Sequence, residues 1–162
     1  MAYIVVRDTR EKTGHGWFWE PSSNYGGTIV AKLDQGDYSI EGYENFIIIE
    51  RKGSVAEFAN NITQKRFYNE LDRSRNIPHV WIVLEFDMDN IIAYPKGSGI
   101  PKKHWNKLGF SGPYILKRMI EISLQYPNVN IICAGKHGKL VANSILKRVI
   151  EEIAGHDTSL AN

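Results

Sequence analysis

The apolar residues of this chain fall either into short runs or into regularly spaced positions, and the two patterns predict different elements. The runs at 2–6 and 129–134 are short and rich in β-branched residues, as in buried strands. Between residues 54 and 75 the apolar positions recur at helical spacing instead. We predict strands over 2–6, 28–33, 45–52, 79–86 and 129–134, and helices over 54–75, 114–126 and 139–155.

The order of these elements predicts the fold class. Strands come first and then alternate with helices, which indicates an α/β fold with a central mixed β-sheet flanked by α-helices. The length fits one domain, which we predict over residues 1–155. Residues 156–162 are predicted to form a C-terminal tail, because Gly155 is a favoured helix terminator. Residues 11–27 and 95–112 are predicted to be loops.

Composition indicates the cellular compartment of the protein better than it indicates the function. The only cysteine is Cys133, so a disulfide framework is excluded and a reducing compartment is favoured. The N-terminal residues do not resemble a signal peptide, and no apolar run reaches a membrane-spanning length of about 20 residues. We therefore expect an intracellular protein without a membrane partner, in the cytoplasm or nucleoid, or in the nucleus of a eukaryote. The net charge of +2 is too small to indicate a nucleic-acid partner by itself.

The strand "NFIIIERK" ends in three charged residues, which is unusual for a buried strand. Because side chains alternate along a strand, Glu50 and Lys52 are predicted on one face and Arg51 on the other. A carboxylate is a hard oxygen ligand suited to Mg²⁺ or Mn²⁺, but one carboxylate seldom holds such an ion alone. Asp37 is the candidate for a second acid, and Gly36 before it permits the tight backbone that would orient it.

The spacing D-x(12)-E-x-K from Asp37 to Lys52 is the signature of PD-(D/E)XK nucleases. The spacing also arises by chance, and Glu50 and Lys52 could equally form a surface ion pair worth about 0–1 kcal/mol. Asp8 and Glu11 follow the first predicted strand, and strand ends of this kind lie side by side in an α/β sheet.

Several longer segments resemble one family. "VVRDTRE", "LDQGDYSI", "IIIERKGSVAEFANNI" and "RFYNEL" are similar, in order and spacing, to the XPF-type structure-specific DNA endonuclease family. The resemblance extends over roughly residues 3–155 and implies a restriction-endonuclease-like PD-(D/E)XK nuclease fold. It also implies a metal-dependent DNA endonuclease that acts on flaps, forks or junctions in DNA repair or recombination. The alternative is a non-catalytic, nuclease-fold DNA-binding scaffold subunit, which also occurs in that family.

The resemblance implies a role for each matching residue. The implied catalytic residues are Asp37, Glu50, Lys52, Asp8 and Arg51. The implied ligands for Mg²⁺ or Mn²⁺ are Asp37, Glu50, Asp8 and Glu11. Arg10 and Arg66 match positions beside the site and are implied to bind the DNA substrate, although Arg66 could instead only pair with Glu70, four residues on. The family pattern E-R-K-x-x-x-D ends in an aspartate, for which this chain offers Glu57 one position further on, and Glu57 could equally belong to a helix cap that begins at Ser54.

Basic and aromatic residues are interleaved in the predicted loop 95–112, which contains no acidic residue. Such a pattern suits contact with DNA phosphates and stacking on bases. The predicted DNA-binding residues of this loop are Lys96, Lys102, Lys103, Lys107 and Trp105. The alternative is a solvated loop with Trp105 packed on the core. The aromatic stretch 17–19 is predicted to form a local hydrophobic cluster.

The predicted helix 114–126 is apolar on more than one face. The resembled family dimerises through this region and its last helix, so a homodimer through 114–126 and 139–155 is implied. The alternative is a helix sandwiched within one domain. The chain has no helix-hairpin-helix motif of the kind that many family members use to grip DNA, so a partner protein could supply that grip.

Overall fold

A six-stranded mixed sheet forms the centre of this computed structural model, which describes residues 2–159 and the side chains of residues 2–156. The strands are β1 (Tyr3–Asp8), β2 (Tyr25–Ala31), β3 (Tyr38–Ile40), β4 (Ile47–Lys52), β5 (His79–Leu84) and β6 (Val129–Cys133). The helices are α1 (Val55–Asn61), α2 (Lys65–Arg73), α3 (Met88–Ala93), α4 (Gly112–Gln125) and α5 (Gly138–Ser159). Short 3₁₀ helices span Lys102–Lys107 and Gly135–His137. The predicted α/β class with a mixed sheet and flanking helices is confirmed.

In the sheet, whose strand order is β2-β1-β3-β4-β5-β6, one strand runs antiparallel to the others. Strand β3 is antiparallel to both of its neighbours, β1 and β4, whereas the other neighbouring pairs are parallel. The carboxyl ends of β1, β4, β5 and β6 therefore lie at one edge of the sheet. We call this the carboxyl edge. Because β3 runs the opposite way, its first residue lies at the same edge, and Asp37 immediately precedes it.

Two hydrophobic layers cover the two faces of the sheet. On one face, Ile48 and Ile82 pack with α1, α2 and α4. On the other face, Ile47 and Ile49 pack with α5 and with the aromatic residues of the loop after β1. Strand alternation then places Glu50 and Lys52 towards the first face and Arg51 towards the second. The predicted division of these three residues is confirmed.

The loop between β1 and β2 contributes to the second layer. Trp17 and Trp19 are only 6% and 4% exposed, and both rings contact Tyr38. The predicted local hydrophobic cluster is confirmed for these two residues. Phe18 between them is half-exposed and lies over the guanidinium of Arg7.

Several predicted boundaries are wrong. The helix predicted over 54–75 is two helices, because Gln64 has extended backbone angles and begins a new helix. Strand β3 was not predicted, because three residues are too few to show a strand pattern. Helix α3 and the first 3₁₀ helix lie in segments predicted without helix. Helix α5 continues through Gly155 to Ser159, so that glycine does not end it, and residues 160–162 of the predicted tail lie outside the described residues.

Helix α4 buries Ile115, Met119 and Ile122 against the sheet. Ile120 and Leu124 on the same helix are 54% and 77% exposed, so α4 is not sandwiched on all sides within this chain. No helix in the described part of the chain is both long and apolar enough to cross a membrane.

The start of α5 packs so closely on the carboxyl edge that glycine is required there. A Cβ at Gly138 would lie 2.8 Å from the Trp17 ring and 2.9 Å from the Glu85 side chain. We expect Gly138→Ala to lower the free energy of unfolding by about 1–3 kcal/mol through overpacking, measured by urea denaturation. Gly155→Ala in the same helix is the control, since a Cβ there meets no atom within 4 Å. It should be neutral or stabilising by up to about 1 kcal/mol, and equal effects of both changes would contradict the packing account.

Candidate active site

Asp37 lies where β3 begins, and three hydrogen bonds with main-chain groups hold it. Its N–H donates to the carbonyl of Ile49 at 2.8 Å, and its carbonyl accepts the N–H of Asp8 at 2.8 Å. Its carboxylate Oδ2 accepts the N–H of Arg51 at 2.7 Å. The carboxylate is therefore fixed against the end of β4 rather than free in solvent.

Gly36 shapes the turn that delivers Asp37. Its φ is +76°, in the left-handed region that favours glycine. A Cβ at this position would also lie 3.1 Å from Cβ of Ile48. Both features support the predicted role of Gly36 in orienting Asp37. The turn brings Asp37 into a pocket of about 200 Å³ that Glu50 also lines.

The two carboxylates of this pocket repel each other. Burial, followed by the charge of Glu50, raises the pKa of Asp37 well above its usual value. The hydrogen bond from the N–H of Arg51 opposes this shift without cancelling it. The site therefore stores unfavourable electrostatic energy that a bound cation would relieve.

Lys52 provides a positive charge beside this pair. Its ammonium group lies 2.9 Å from Glu50 Oε1, and the side chain is only 8% exposed. Burial alone would lower the pKa of Lys52, but the charge and hydrogen bond of Glu50, with Asp37 and Glu57 further off, raise it overall. Lys52 is therefore protonated at neutral pH in this arrangement.

Asp8 lies at the same edge, but its oxygens are engaged elsewhere. Oδ1 accepts the N–H of Leu33 at 2.7 Å, and Oδ2 accepts both the main-chain N–H and Nε of Arg10 at 3.0 and 2.6 Å. Burial would raise the pKa of Asp8, but these hydrogen bonds outweigh burial and lower it. In this geometry Asp8 connects β1 to the loop before β3.

Arg51 and Glu11 lie on the opposite face of the sheet from Glu50 and Lys52. Nη1 of Arg51 is 3.2 Å from Glu11 Oε1, and Nε of Arg51 donates to Glu85. The other oxygen of Glu11 accepts the hydroxyl of Tyr38 at 3.0 Å. The structure thus separates Arg51 and Glu11 from the pocket that contains Asp37 and Glu50.

The predicted set of four carboxylate ligands is not assembled. Across residues 2–156, no three or more His, Cys, Asp or Glu side chains are grouped so that they could hold a metal ion. Asp37 and Glu50 remain as a pair in one pocket, with Asp8 and Glu11 bonded to other partners. A carboxylate pair still fits Mg²⁺, which keeps several waters and takes one or two protein carboxylates together with phosphate oxygens of a substrate.

Glu57 forms the predicted helix cap. The hydroxyl of Ser54 accepts the N–H of Glu57 at 3.2 Å, and the carboxylate of Glu57 accepts the N–H of Gly53 at 3.0 Å. Glu57 and Lys52 also line a second opening, and the charge of Glu57 acts on the Lys52 ammonium. Glu57 therefore caps α1 and contributes to the field around Lys52.

Two predicted DNA-binding arginines line the rim of the pocket. Arg10 and Arg66 both line the pocket that contains Asp37 and Glu50. Arg66 is 80% exposed and pairs with Glu70 at 3.0 Å, which confirms the predicted pairing. Contact of either arginine with DNA stays a prediction.

The predicted DNA-binding residues of the loop 95–112 do not line this pocket. The lysines Lys96, Lys102, Lys103 and Lys107 are exposed. Trp105 is half-buried, and its indole N–H donates to the carbonyl of Ile100 at 2.9 Å. The loop packs through Ile100, Leu108 and Phe110 on the core below α4.

Two residues beside the site were not predicted from the sequence. The Gln35 amide donates to the carbonyl of Arg73 at 3.0 Å and accepts from the hydroxyl of Ser74, so it ties the turn before Asp37 to the end of α2. Glu85 holds the guanidinium of Arg51. Glu85 had a signal that could have been used, because it is an acid near the end of the strand predicted over 79–86. Gln35 had none.

The sheet topology and the carboxylate pair at the carboxyl edge define an α/β fold of the restriction-endonuclease type. Residues 7–141 match the ERCC4 domain, which is most of the chain. The protein therefore belongs to the ERCC4 domain family, and the predicted membership of an XPF-type nuclease family is confirmed.

Solved structures agree on the fold. XPF from Aeropyrum pernix is 20% identical with a TM-score of 0.58, and the match covers 88% of this chain and 64% of that chain. XPF from Aeropyrum pernix in complex with DNA is 19% identical with a TM-score of 0.60, and the match covers 93% of this chain and 66% of that chain. This chain thus spans under two thirds of the length of either relative. No curated protein sequence matched the chain.

The repulsion in the pocket predicts that neutralising Asp37 stabilises the metal-free protein. Since the folded-state pKa of Asp37 is raised, ionisation of this group costs more in the folded than in the unfolded state, and stability falls as pH rises above the usual carboxyl pKa. We expect Asp37→Asn to raise the free energy of unfolding at pH 7 by about 0.5–2 kcal/mol, with a gain that shrinks as pH is lowered.

The measurement is urea denaturation in the presence of a chelator across a pH series. Asp34→Asn is the control, because Asp34 lines the same pocket but is exposed. It should change stability little at any pH. An Asp37→Asn protein that is less stable than wild type at pH 7 would contradict the electrostatic account.

Proposed function

We propose that this protein is a divalent-metal-dependent DNA endonuclease that cleaves branched DNA such as flaps, forks or junctions, in repair or recombination. The observation that carries this proposal is the convergence of Asp37, Glu50 and Lys52 at the carboxyl edge. Membership of the ERCC4 domain family supports it. The structural relative that was solved in complex with DNA supports DNA as the substrate.

In this proposal Asp37 and Glu50 hold one Mg²⁺ or Mn²⁺ ion. When bound, such an ion polarises a phosphate and lowers the pKa of a bound water. The main-chain N–H of Arg51 keeps the Asp37 carboxylate in place while it acts as a ligand. The half-buried setting strengthens each of these electrostatic interactions relative to bulk water.

Lys52 has two possible roles in phosphodiester cleavage, and its electrostatics favour one. In the metal-free site the charges of Glu50 and Asp37 outweigh burial and raise the pKa of Lys52, so the side chain keeps its proton there. Its ammonium can instead donate a hydrogen bond to a phosphate oxygen as negative charge develops there. We therefore propose Lys52 as the stabiliser of that charge and not as the general base.

The remaining basic residues supply contact with the DNA backbone. We propose that Arg10 and Arg66, which line the pocket, bind phosphates of the DNA strand. The exposed lysines of the loop 95–112 lie outside the pocket, and we assign to them further contacts with phosphates along the strand. These contacts would weaken as salt concentration rises.

The test is cleavage of end-labelled flap, fork, four-way junction and plain duplex DNA with Mg²⁺ or Mn²⁺. We expect cleavage of the branched substrates, and a loss of about 100-fold or more in Asp37→Asn, Glu50→Gln and Lys52→Ala. Asp89→Asn and Lys147→Ala are matched controls on exposed residues outside the pocket, and they should cut like wild type.

Three outcomes would contradict parts of this proposal. A wild-type protein that binds DNA but cuts none of the four substrates would favour the alternative of a non-catalytic scaffold. Site variants that cut like wild type would contradict the catalytic roles assigned to Asp37, Glu50 and Lys52. Equal cleavage of plain duplex and branched DNA would remove the preference for branched structures.

We also propose that the protein forms a homodimer through α4 and α5. Ile120, Leu124 and Leu140 expose apolar surface on these helices, and Leu140 is 65% exposed. We expect light scattering at micromolar concentration to give the mass of two chains, and Leu124→Glu to shift the protein to one chain. A wild-type protein that stays monomeric throughout the concentration range would contradict this proposal.

A further inference from the structure

A second cluster of charged side chains lies behind the candidate active site, on the face of the sheet that α5 covers. Its centre is the guanidinium of Arg51, which lies between the carboxylates of Glu11 and Glu85. The three side chains are 15%, 9% and 22% exposed. The ring of Trp17 lies 5.9 Å from the guanidinium and helps to shield the cluster from solvent. We call these residues the Arg51 cluster.

The cluster is joined to Asp37 through two routes. One route runs through side chains, because the Glu11 carboxylate also accepts the hydroxyl of Tyr38, the residue directly after Asp37. The other route runs through the main chain, because the N–H of Arg51 donates to Asp37 Oδ2 at 2.7 Å. The position of the Asp37 carboxylate therefore depends on the position of the Arg51 backbone.

That backbone lies beyond the last paired residues of the β3–β4 ladder. The pairing joins Tyr38 to Ile49, and the carbonyl of Ile49 still accepts the N–H of Asp37. Further along β4, the Asp37 side chain takes the place of a main-chain acceptor for the N–H of Arg51. On the side that faces β3, the end of β4 is thus held by the Asp37 carboxylate, which is also part of the candidate active site.

We propose that the Arg51 side chain is a positioning residue, which Glu11 and Glu85 hold so that the end of β4 keeps its N–H on the Asp37 carboxylate. The guanidinium does not reach the pocket from this face. It joins the loop after β1, strand β4 and the residue after β5 into one unit behind the site. The consequence for metal binding rests on the proposed function, whereas the positioning itself does not.

The test of positioning is hydrogen exchange of the Arg51 amide, followed by NMR, in wild type and Glu85→Gln. The glutamine keeps the shape of the side chain but removes the negative charge that binds the Arg51 guanidinium. We expect exchange of the Arg51 amide to accelerate on the order of tenfold, while exchange of the Ile82 amide in the β4–β5 ladder does not change.

Glu151→Gln is the matched control. It breaks an ion pair with Arg148 that has a similar N···O distance but lies exposed on α5. The Arg51 amide should exchange in this variant as in wild type. If Glu85→Gln does not fold, Glu11→Gln gives the same comparison from the other side of the guanidinium. An unchanged Arg51 amide, or one that accelerates only together with all core amides, would overturn the proposal.

A second readout concerns the metal. Binding of Mn²⁺ to the protein, counted by electron paramagnetic resonance of the free ion, should weaken about tenfold in Glu85→Gln relative to wild type. Unchanged Mn²⁺ affinity alongside accelerated exchange would confine Arg51 to a structural role and remove its link to the metal. If wild type binds no Mn²⁺ and cuts no DNA, the proposed function fails, and the exchange experiment still decides whether Arg51 positions Asp37.

Discussion

The hydrogen bond between the main-chain N–H of Arg51 and the carboxylate of Asp37 is the interaction on which the candidate site depends. It forms because β3 runs against β1 and β4 and is only three residues long. A longer antiparallel strand would have continued the main-chain ladder and left Asp37 in the sheet. The ladder stops one step earlier, so a side chain takes over its last bond and remains at the carboxyl edge beside Glu50.

The charges at this edge are divided between the two faces of the sheet. Glu50 and Lys52 lie on the face of the pocket, where burial and the charge of Glu50 raise the pKa of Asp37 and an ammonium group offsets part of the repulsion. Arg51, between them in sequence, points to the other face and is held by Glu11 and Glu85. One tripeptide thus contributes side chains both to the candidate site and to the charged cluster behind it, because a strand alternates its side chains.

Much of this could be predicted from the sequence because it follows from local rules. Strand alternation predicts the separation of Glu50 and Lys52 from Arg51, and Gly36 predicts the turn that delivers Asp37. By contrast, the sequence does not show whether the carboxylates of Asp8 and Glu11 are free to act as metal ligands. An acid after a strand is visible in the sequence, but its hydrogen-bond partners are not.

The remaining misses have the same cause, which is that long-range contacts decide them. Strand β3 is too short for a periodic pattern, and the break before α2 depends on the backbone of Gln64 rather than on a helix breaker. Gln35 and Glu85 act through bonds to residues more than 30 positions away. A single sequence does not show which distant residues form such pairs, whereas the family resemblance and the fold class could be predicted from it.

The central claim is that Asp37 and Glu50 together hold a divalent cation at the carboxyl edge. The most direct measurement is an NMR titration with Mn²⁺, whose unpaired electrons broaden the signals of nearby nuclei. The account predicts that sub-stoichiometric Mn²⁺ broadens the amides of Gly36, Asp37 and Arg51 first. Broadening centred on exposed acids elsewhere, such as Asp89 in α3, or no selective broadening at all, would contradict it.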